Sequence, residues 1–355
     1  MNPEHVFRRR GGILLLAAGL AALLLSAALG VTLGARPVPF GDVLRALASS
    51  LVPFLDFGPC PPAHATIVLD LRLPRVAQMA VVGASLAAAG AAYQGLFRNP
   101  LADPYTVGVA SGAGFGATAV ILLWSPVAGY ALLAVPAGAF AGGVGTVLLV
   151  LAISRTGRGL SGTTMLLSGV AIGAFATSLS TFWMLRAPDG VRRAFGWLLG
   201  GYAGGGWAPV GVVAPYLAAG ILLVARNARA LNVLQLDEER AMELGVDVER
   251  VKLGVVSGAT LMTAAAVAFG GIISFVGLVV PHVLRLLGTR DYRSLVPLSA
   301  LTGAAFLIGC DILARTALAP EEVPVGVITS MAGAPFFVYL LRHPNRAAFG
   351  GPGSA

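Results

Sequence analysis

Residues Phe97–Gly108 read FRNPLADPYTVG, and the fold follows from where this stretch stands. One base, one acid, one Asn and two prolines interrupt two of the most apolar runs in the chain, Val76–Leu96 and Val107–Leu123. Pro100 and Pro104 stop a helix from continuing, and Asn and Asp side chains can satisfy the freed backbone groups locally. The stretch reads as a polar turn between two membrane-crossing helices, since about 20 apolar residues span a bilayer core.

Outward from this turn the pattern repeats to both ends. Long apolar runs broken by charge or Gly/Pro clusters lie at Ile13–Leu33, Val76–Leu96, Val107–Leu123, Ala131–Ile153, Met165–Leu185, Val210–Ala225, Leu253–Ile273, Ser274–Leu287, Leu295–Leu313 and Val323–Leu341. The eighth is short for a full crossing, so it is either tilted or packed inside the protein. Of 355 residues, 57% are hydrophobic and 11% charged, against roughly 25% charged in soluble domains. No polar linker divides the chain, so residues 1–355 are expected to form one all-α, polytopic membrane domain. Arg8–Arg10 followed by Ile13–Leu33 has the order of a signal peptide. The run is too long for one and lacks a small-residue cleavage site before polar sequence, so it reads as a retained first span.

Ten spans place both termini on one side of the membrane. With the N-terminus in the cytoplasm, cytoplasmic segments carry sixteen of the 24 basic residues and outer segments eight. That bias predicts cytoplasmic termini. The net charge of +8 is then a matter of orientation, and nucleic acid is not an expected partner. The stretches GASLAAAGAA (Gly83–Ala92), GAGFGA (Gly112–Ala117) and GAFAGGVG (Gly138–Gly145) predict closely packed helices.

Chemistry-bearing residues are sparse within the spans. Asp311 and Arg315 are the exception, four residues apart on one helix face, and they read as a structural pair. An ion-coupled carrier would need titrating or coordinating groups at bilayer depth. Cys60 and Cys310 make no framework of bridges and the four histidines are scattered, so no metal site is expected. Lys252, the only lysine, follows Val251. A P-loop needs Gly-Lys-Ser/Thr, so any ATP must be handled by another chain.

The segment Asn227–Lys252 holds six of the sixteen acids. Leu231, Leu234, Leu236, Ala241 and Leu244 give an approximately amphipathic pattern, and Gly245 is a plausible helix stop. It is either a solvated loop helix or a short helix docking on a cytoplasmic partner, and composition alone favours the first.

Read together, LRLPR (Leu71–Arg75), GLFRNPLADPYTVGVASGAGFGA (Gly95–Ala117), LNVLQLDEERAMELGV (Leu231–Val246), GGIISFVGLVVPHVLRLLGTRDYR (Gly270–Arg293), DILAR (Asp311–Arg315) and EVPVGVITSMAGAPFFVYLLR (Glu322–Arg342) resemble the FecCD-type permeases. These are the membrane subunits of type II ABC importers for iron–siderophore complexes, haem and cobalamin. The resemblance implies a homodimer working with two ATP-binding-cassette ATPase subunits and an extracytoplasmic substrate-binding protein in the inner membrane. It implies no cofactor on this chain, with ATP and Mg on the ATPase.

The resemblance also implies roles. Asn99 and Leu101 match one cytoplasmic gate, and Ser161, Gly162 and Thr163 a second. Leu234, Asp237, Glu238, Glu239, Arg240, Ala241, Leu244 and Gly245 match the region coupled to the ATPase, within residues 227–252. Arg72, Arg75 and Arg315 match arginines that meet glutamates of the binding protein, a chemistry suited to permanently charged, bidentate guanidinium groups. Arg186, Arg192 and Arg193 form a further outer cluster. His282 reads as structural, and Phe182, Trp183 and Met184 as either pathway lining or packing. The expected cargo is an iron chelate, siderophore or haem, with cobalamin as the alternative. An ion-coupled carrier and a non-transporting receptor or scaffold are the competing classes.

Overall fold

A computed structural model describes residues 3–52, 57–123, 131–156, 159–202, 204 and 206–342. Arg158, His343 and Arg346, counted or named above, lie outside the described residues. The described residues fold into helices, with one antiparallel pair of two-residue strands, Arg155–Thr156 (β1) and Gly159–Leu160 (β2). The helices are α1 (Pro3–Thr32), α2 (Phe40–Leu51), α3 (Pro62–Leu96), α4 (Val109–Leu123), α5 (Ala131–Ser154), α6 (Gly162–Arg186) and α7 (Pro188–Leu198). They continue with α8 (Ala208–Leu234), α9 (Glu238–Glu243), α10 (Val248–Gly270), α11 (Val276–Leu286), α12 (Tyr292–Thr316) and α13 (Val325–Arg342).

Among the described residues seven helices are long and apolar enough to cross a membrane, and the apolar parts of α4, α11 and α13 are shorter. Together they account for the ten runs read from the sequence. The eighth run becomes α11, eleven residues long and so about 16 Å, too short to cross about 30 Å of hydrocarbon. Most of its side chains are buried against α3, α12 and α13. It packs inside the protein.

The second run begins earlier than the apolar pattern indicated. Helix α3 starts at Pro62, continues through a π-helical stretch, Ile67–Arg72, and ends at Leu96. Pro at its first position costs nothing, because that N–H has no helical partner. LRLPR therefore lies within the helix and not in a loop ahead of it. From Val76 to Leu96 nearly every side chain is buried, because α8, α10, α11 and α12 all pack on this one helix.

The small-residue stretches make those approaches close. A Cβ on Gly90 would stand 1.9 Å from the carbonyl oxygen of Gly277 on α11. Gly112 and Gly116 of α4 face Gly142 and Gly138 of α5 in the same way. Between α10 and α11 the backbone is irregular, with Gly271 at φ 67 and Phe275 at φ 69. Non-helical backbone at this depth must be satisfied by protein. Tyr105 does so: its hydroxyl donates to the Ile273 carbonyl at 2.9 Å and accepts from the Ile273 N–H at 3.1 Å.

Candidate functional site

The turn after α3 is built as its residues suggested. Arg98 takes a left-handed conformation, φ 48, and Asn99 Oδ1 accepts from the N–H of Leu101 at 2.9 Å. Asp103 caps a 3-10 turn, Pro104–Val107, accepting from Tyr105 N–H at 2.8 Å. Gly108, at φ 88, releases the chain into α4.

A second turn lies against the first. After β2, Ser161 caps α6, its Oγ accepting from Thr164 N–H at 3.3 Å. A Cβ on Gly162 would lie 3.7 Å from Phe97, and one on Gly169 would strike the Thr106 carbonyl at 2.4 Å. The structure thus brings Asn99 and Leu101 into the same neighbourhood as Ser161, Gly162 and Thr163.

The acidic segment reaches both turns. The single helix suggested by Leu231–Leu244 is two: α8 runs to Leu234, and Asp237, accepting from Glu238 N–H at 2.8 Å, caps the separate helix α9. Gly245, at φ 81, ends α9 with backbone bonds to Met242 and from Val246 to Ala241, a glycine-dependent stop. Gln235 donates to the Gly95 carbonyl at 2.9 Å. Arg98 pairs with Asp237 at 2.9 Å, and that hydrogen bond holds the Asp237 carboxyl below its usual range. Lys252 donates to Glu238 Oε2 and to the Leu160 carbonyl, both at 2.7 Å.

The apolar pattern divides accordingly. Leu231, Leu234 and Ala241 are buried, whereas Leu236, Met242 and Leu244 are 62%, 56% and 67% exposed. Glu239, Arg240, Glu243 and Gly245 are exposed around them. The result is an apolar tip in an acidic setting, tied by polar bonds to two neighbouring turns.

At the other end of α3 the arginines are engaged internally. Arg72 donates to the carbonyls of Val31 at 3.0 Å and Thr32 at 2.6 Å, and also to that of Arg36. Arg75 grips Asp311 through Nε at 2.9 Å and Nη2 at 2.8 Å, reaches Glu322 at 2.9 Å and lies over the Tyr202 ring at 5.1 Å. Arg315 meets Asp311 at 3.3 Å and the Gly30 carbonyl. All three arginines are buried. The three guanidinium groups that the resemblance assigns to the binding protein are engaged within this chain, joining α1, α3, α12 and Glu322. Beside them is a cavity of about 890 Å³, with Arg75, Arg193, Trp197, Tyr202, Phe269 and Glu322 on its walls.

The remaining candidates separate by packing. Trp183 stacks on Phe115 at 4.9 Å. Phe182 is exposed and carries Arg186 over its ring at 5.5 Å. His282 is buried, edge-on to Phe336 at 6.4 Å.

Comparison with known proteins places this arrangement. The model of the FecCD transport family matches residues 21–343. The chain belongs to that family. It is 42% identical to the cobalamin import system permease protein BtuC of Halobacterium salinarum, over 96% of this chain and 90% of the relative. It is 39% identical to the hemin transport system permease protein HmuU of Yersinia pestis, over 78% of this chain and 83% of that one. A solved structure described as an inward-facing conformation of a metal-chelate type ABC transporter superposes with a TM-score of 0.78 at 28% identity, covering 92% of this chain and 98% of that one. The chain is a multi-pass membrane permease of the ABC-importer class and a transport subunit, with ATP hydrolysis the business of separate subunits.

Within this FecCD permease, sequence reasoning missed Arg98, Gln235, Met242 and Lys252 as parts of the network. The signal that could have found Lys252 was its rarity, one lysine among 24 basic residues. Lys and Arg differ in how compactly they deliver charge, so a lone lysine beside an acidic segment marks a special contact.

Proposed function

We propose that this permease carries a bulky metal chelate, a ferric siderophore or haem, inward along the axis of a homodimer. Two ATPase subunits power it, and an extracytoplasmic binding protein delivers the cargo. ATP and Mg reside on the ATPase, and this chain carries no cofactor of its own. Both termini and the acidic segment face the cytoplasm, an orientation supported by the two-to-one bias of basic residues toward those segments.

The observation that carries this reading is the wiring at one end of the bundle. An exposed apolar tip, Leu236, Met242 and Leu244, is bonded through Gln235, Asp237 and Glu238 to two adjoining polar turns. A partner that grips the tip moves the turns. Asn99 and Leu101 serve as one gate and Ser161–Thr163 as the second, while Leu234–Gly245 couples them to the ATPase.

The outer face, around Glu322 and the large cavity, receives the binding protein. Arg72, Arg75 and Arg315 shape that face. Docking on Arg75 proceeds by exchange, a receptor carboxylate taking the place of the half-exposed Glu322. A second cargo reading, cobalamin, is favoured by the cobalamin-named relative at 42% identity.

The test is uptake by liposomes holding the permease, its ATPase subunits and its binding protein. A ferric siderophore, haem and cobalamin are offered in turn. Accumulation that needs ATP and survives collapse of the proton gradient supports the reading. Accumulation driven by an ion gradient without ATP removes it.

A further inference from the structure

Lys252 closes the segment 227–252 but is not among the residues that the resemblance assigns to the gates or to ATPase coupling. It is the fifth residue of α10, only 5% exposed, and its ammonium has two acceptors at 2.7 Å. One is the Leu160 carbonyl, on the residue just before the Ser161 cap of α6. The other is Glu238, the first residue of α9. Two neighbouring helices and a turn 92 residues earlier in the chain therefore meet on one buried charge.

The connections around it differ in stiffness. An ammonium removed from water is costly to leave short of partners, so each of the two bonds to Lys252 resists breaking. Arg98–Asp237 has side chains 41% and 47% exposed, and water readily replaces either partner. Arg155–Glu249, at 3.5 Å, is also exposed. Gln235–Gly95 is a bond between neutral groups, roughly half as strong as a charge-assisted one. The link through Lys252 is the rigid one.

We propose that Lys252 is a strut, a positioning residue that makes α9 and the Leu160–Ser161 turn move as one body. A displacement of α9 then reaches the second gate at once, while the first gate follows through the softer Arg98 and Gln235 links. The inference rests on reading α9 as the ATPase contact and Ser161–Thr163 as a gate.

The experiment uses the assembled transporter in liposomes, with Cys60 and Cys310 replaced by Ala. Spin labels are placed at Leu167 of both copies, exposed on α6 just beyond the second gate. In the wild-type sequence ATP shifts the distance between labels. In Lys252→Met the shifted population falls about tenfold or more, the effect of one lost charge-assisted bond, and Lys252→Arg restores it. A Lys252→Met population equal to wild type overturns the strut. If Lys252→Met does not assemble, Glu238→Gln decides, since that carboxylate is partly solvated. A reduced shift there supports the strut and an unchanged one overturns it. A wild-type transporter whose labels ignore ATP refutes the gate reading itself, a result distinct from a normal wild type with an indifferent variant.

Discussion

Arg98 and Asp237 are 139 residues apart in the chain and 2.9 Å apart in space. The pair joins the turn after α3 to the cap of α9, and both side chains are well exposed. An exposed pair contributes little to global stability, so its service is to connect. Arg98→Ala is expected to leave the melting temperature nearly unchanged while lowering cargo transported per ATP. Arg98 holds the Asp237 carboxyl below its usual range. A depressed acid stabilises above its unfolded pKa, about 3.9, and loses that contribution as pH falls through the folded value. The wild-type advantage over Arg98→Ala should therefore be flat from about pH 5 to 8 and vanish only in stronger acid. Transport measured across that range checks it.

Asp311 has a fully buried carboxylate held between Arg75 and Arg315. Replacing it by Ala leaves two buried guanidinium groups short of a partner, a loss of about 3–5 kcal/mol. Thermal unfolding in detergent should show a drop of several degrees without any binding protein present. An unchanged melting temperature would mean that Arg75 and Arg315 serve only in docking.

Tyr105→Phe deletes a hydroxyl that bonds both polar groups of Ile273. The buried backbone left unpaired costs about 1–3 kcal/mol. Amide exchange is the fitting measurement, and it should quicken at Ile272–Phe275 before it does within α3.

Met242 and Leu244 are solvent-exposed on α9 and the turn after it. Changing either to Asp should leave folding within about 0.5 kcal/mol of wild type and abolish co-purification of the ATPase subunits. Retained co-purification would move the contact elsewhere.

Much of this architecture is legible locally. Apolar length finds the ten runs, and Pro100, Pro104, Asn99 and Asp103 announce their turn, because each acts on backbone within a few residues. What escaped depends on partners far along the chain. Arg72 and Arg75 stand just ahead of the second apolar run, yet α3 runs through them because Val31, Asp311 and Glu322 come from elsewhere to meet the guanidinium groups. Lys252 is the same case in reverse. It looked like an isolated base and proves to be where Leu160 and Glu238 converge. The break at Gly271–Phe275 falls where the seventh run gives way to the eighth, but its partner is far along the chain: Tyr105, 168 residues away from Ile273, bonds its backbone.

The 35 residues of α3 have one more consequence. A helix of that length measures about 50 Å, and even tilted by about 40° it covers more than the roughly 30 Å of lipid tails. One end must leave the lipid tails as solid rod and not as loop. Whatever settles on that face of the molecule meets a fixed post, and so its orientation can be dictated before any side chain has had to rearrange.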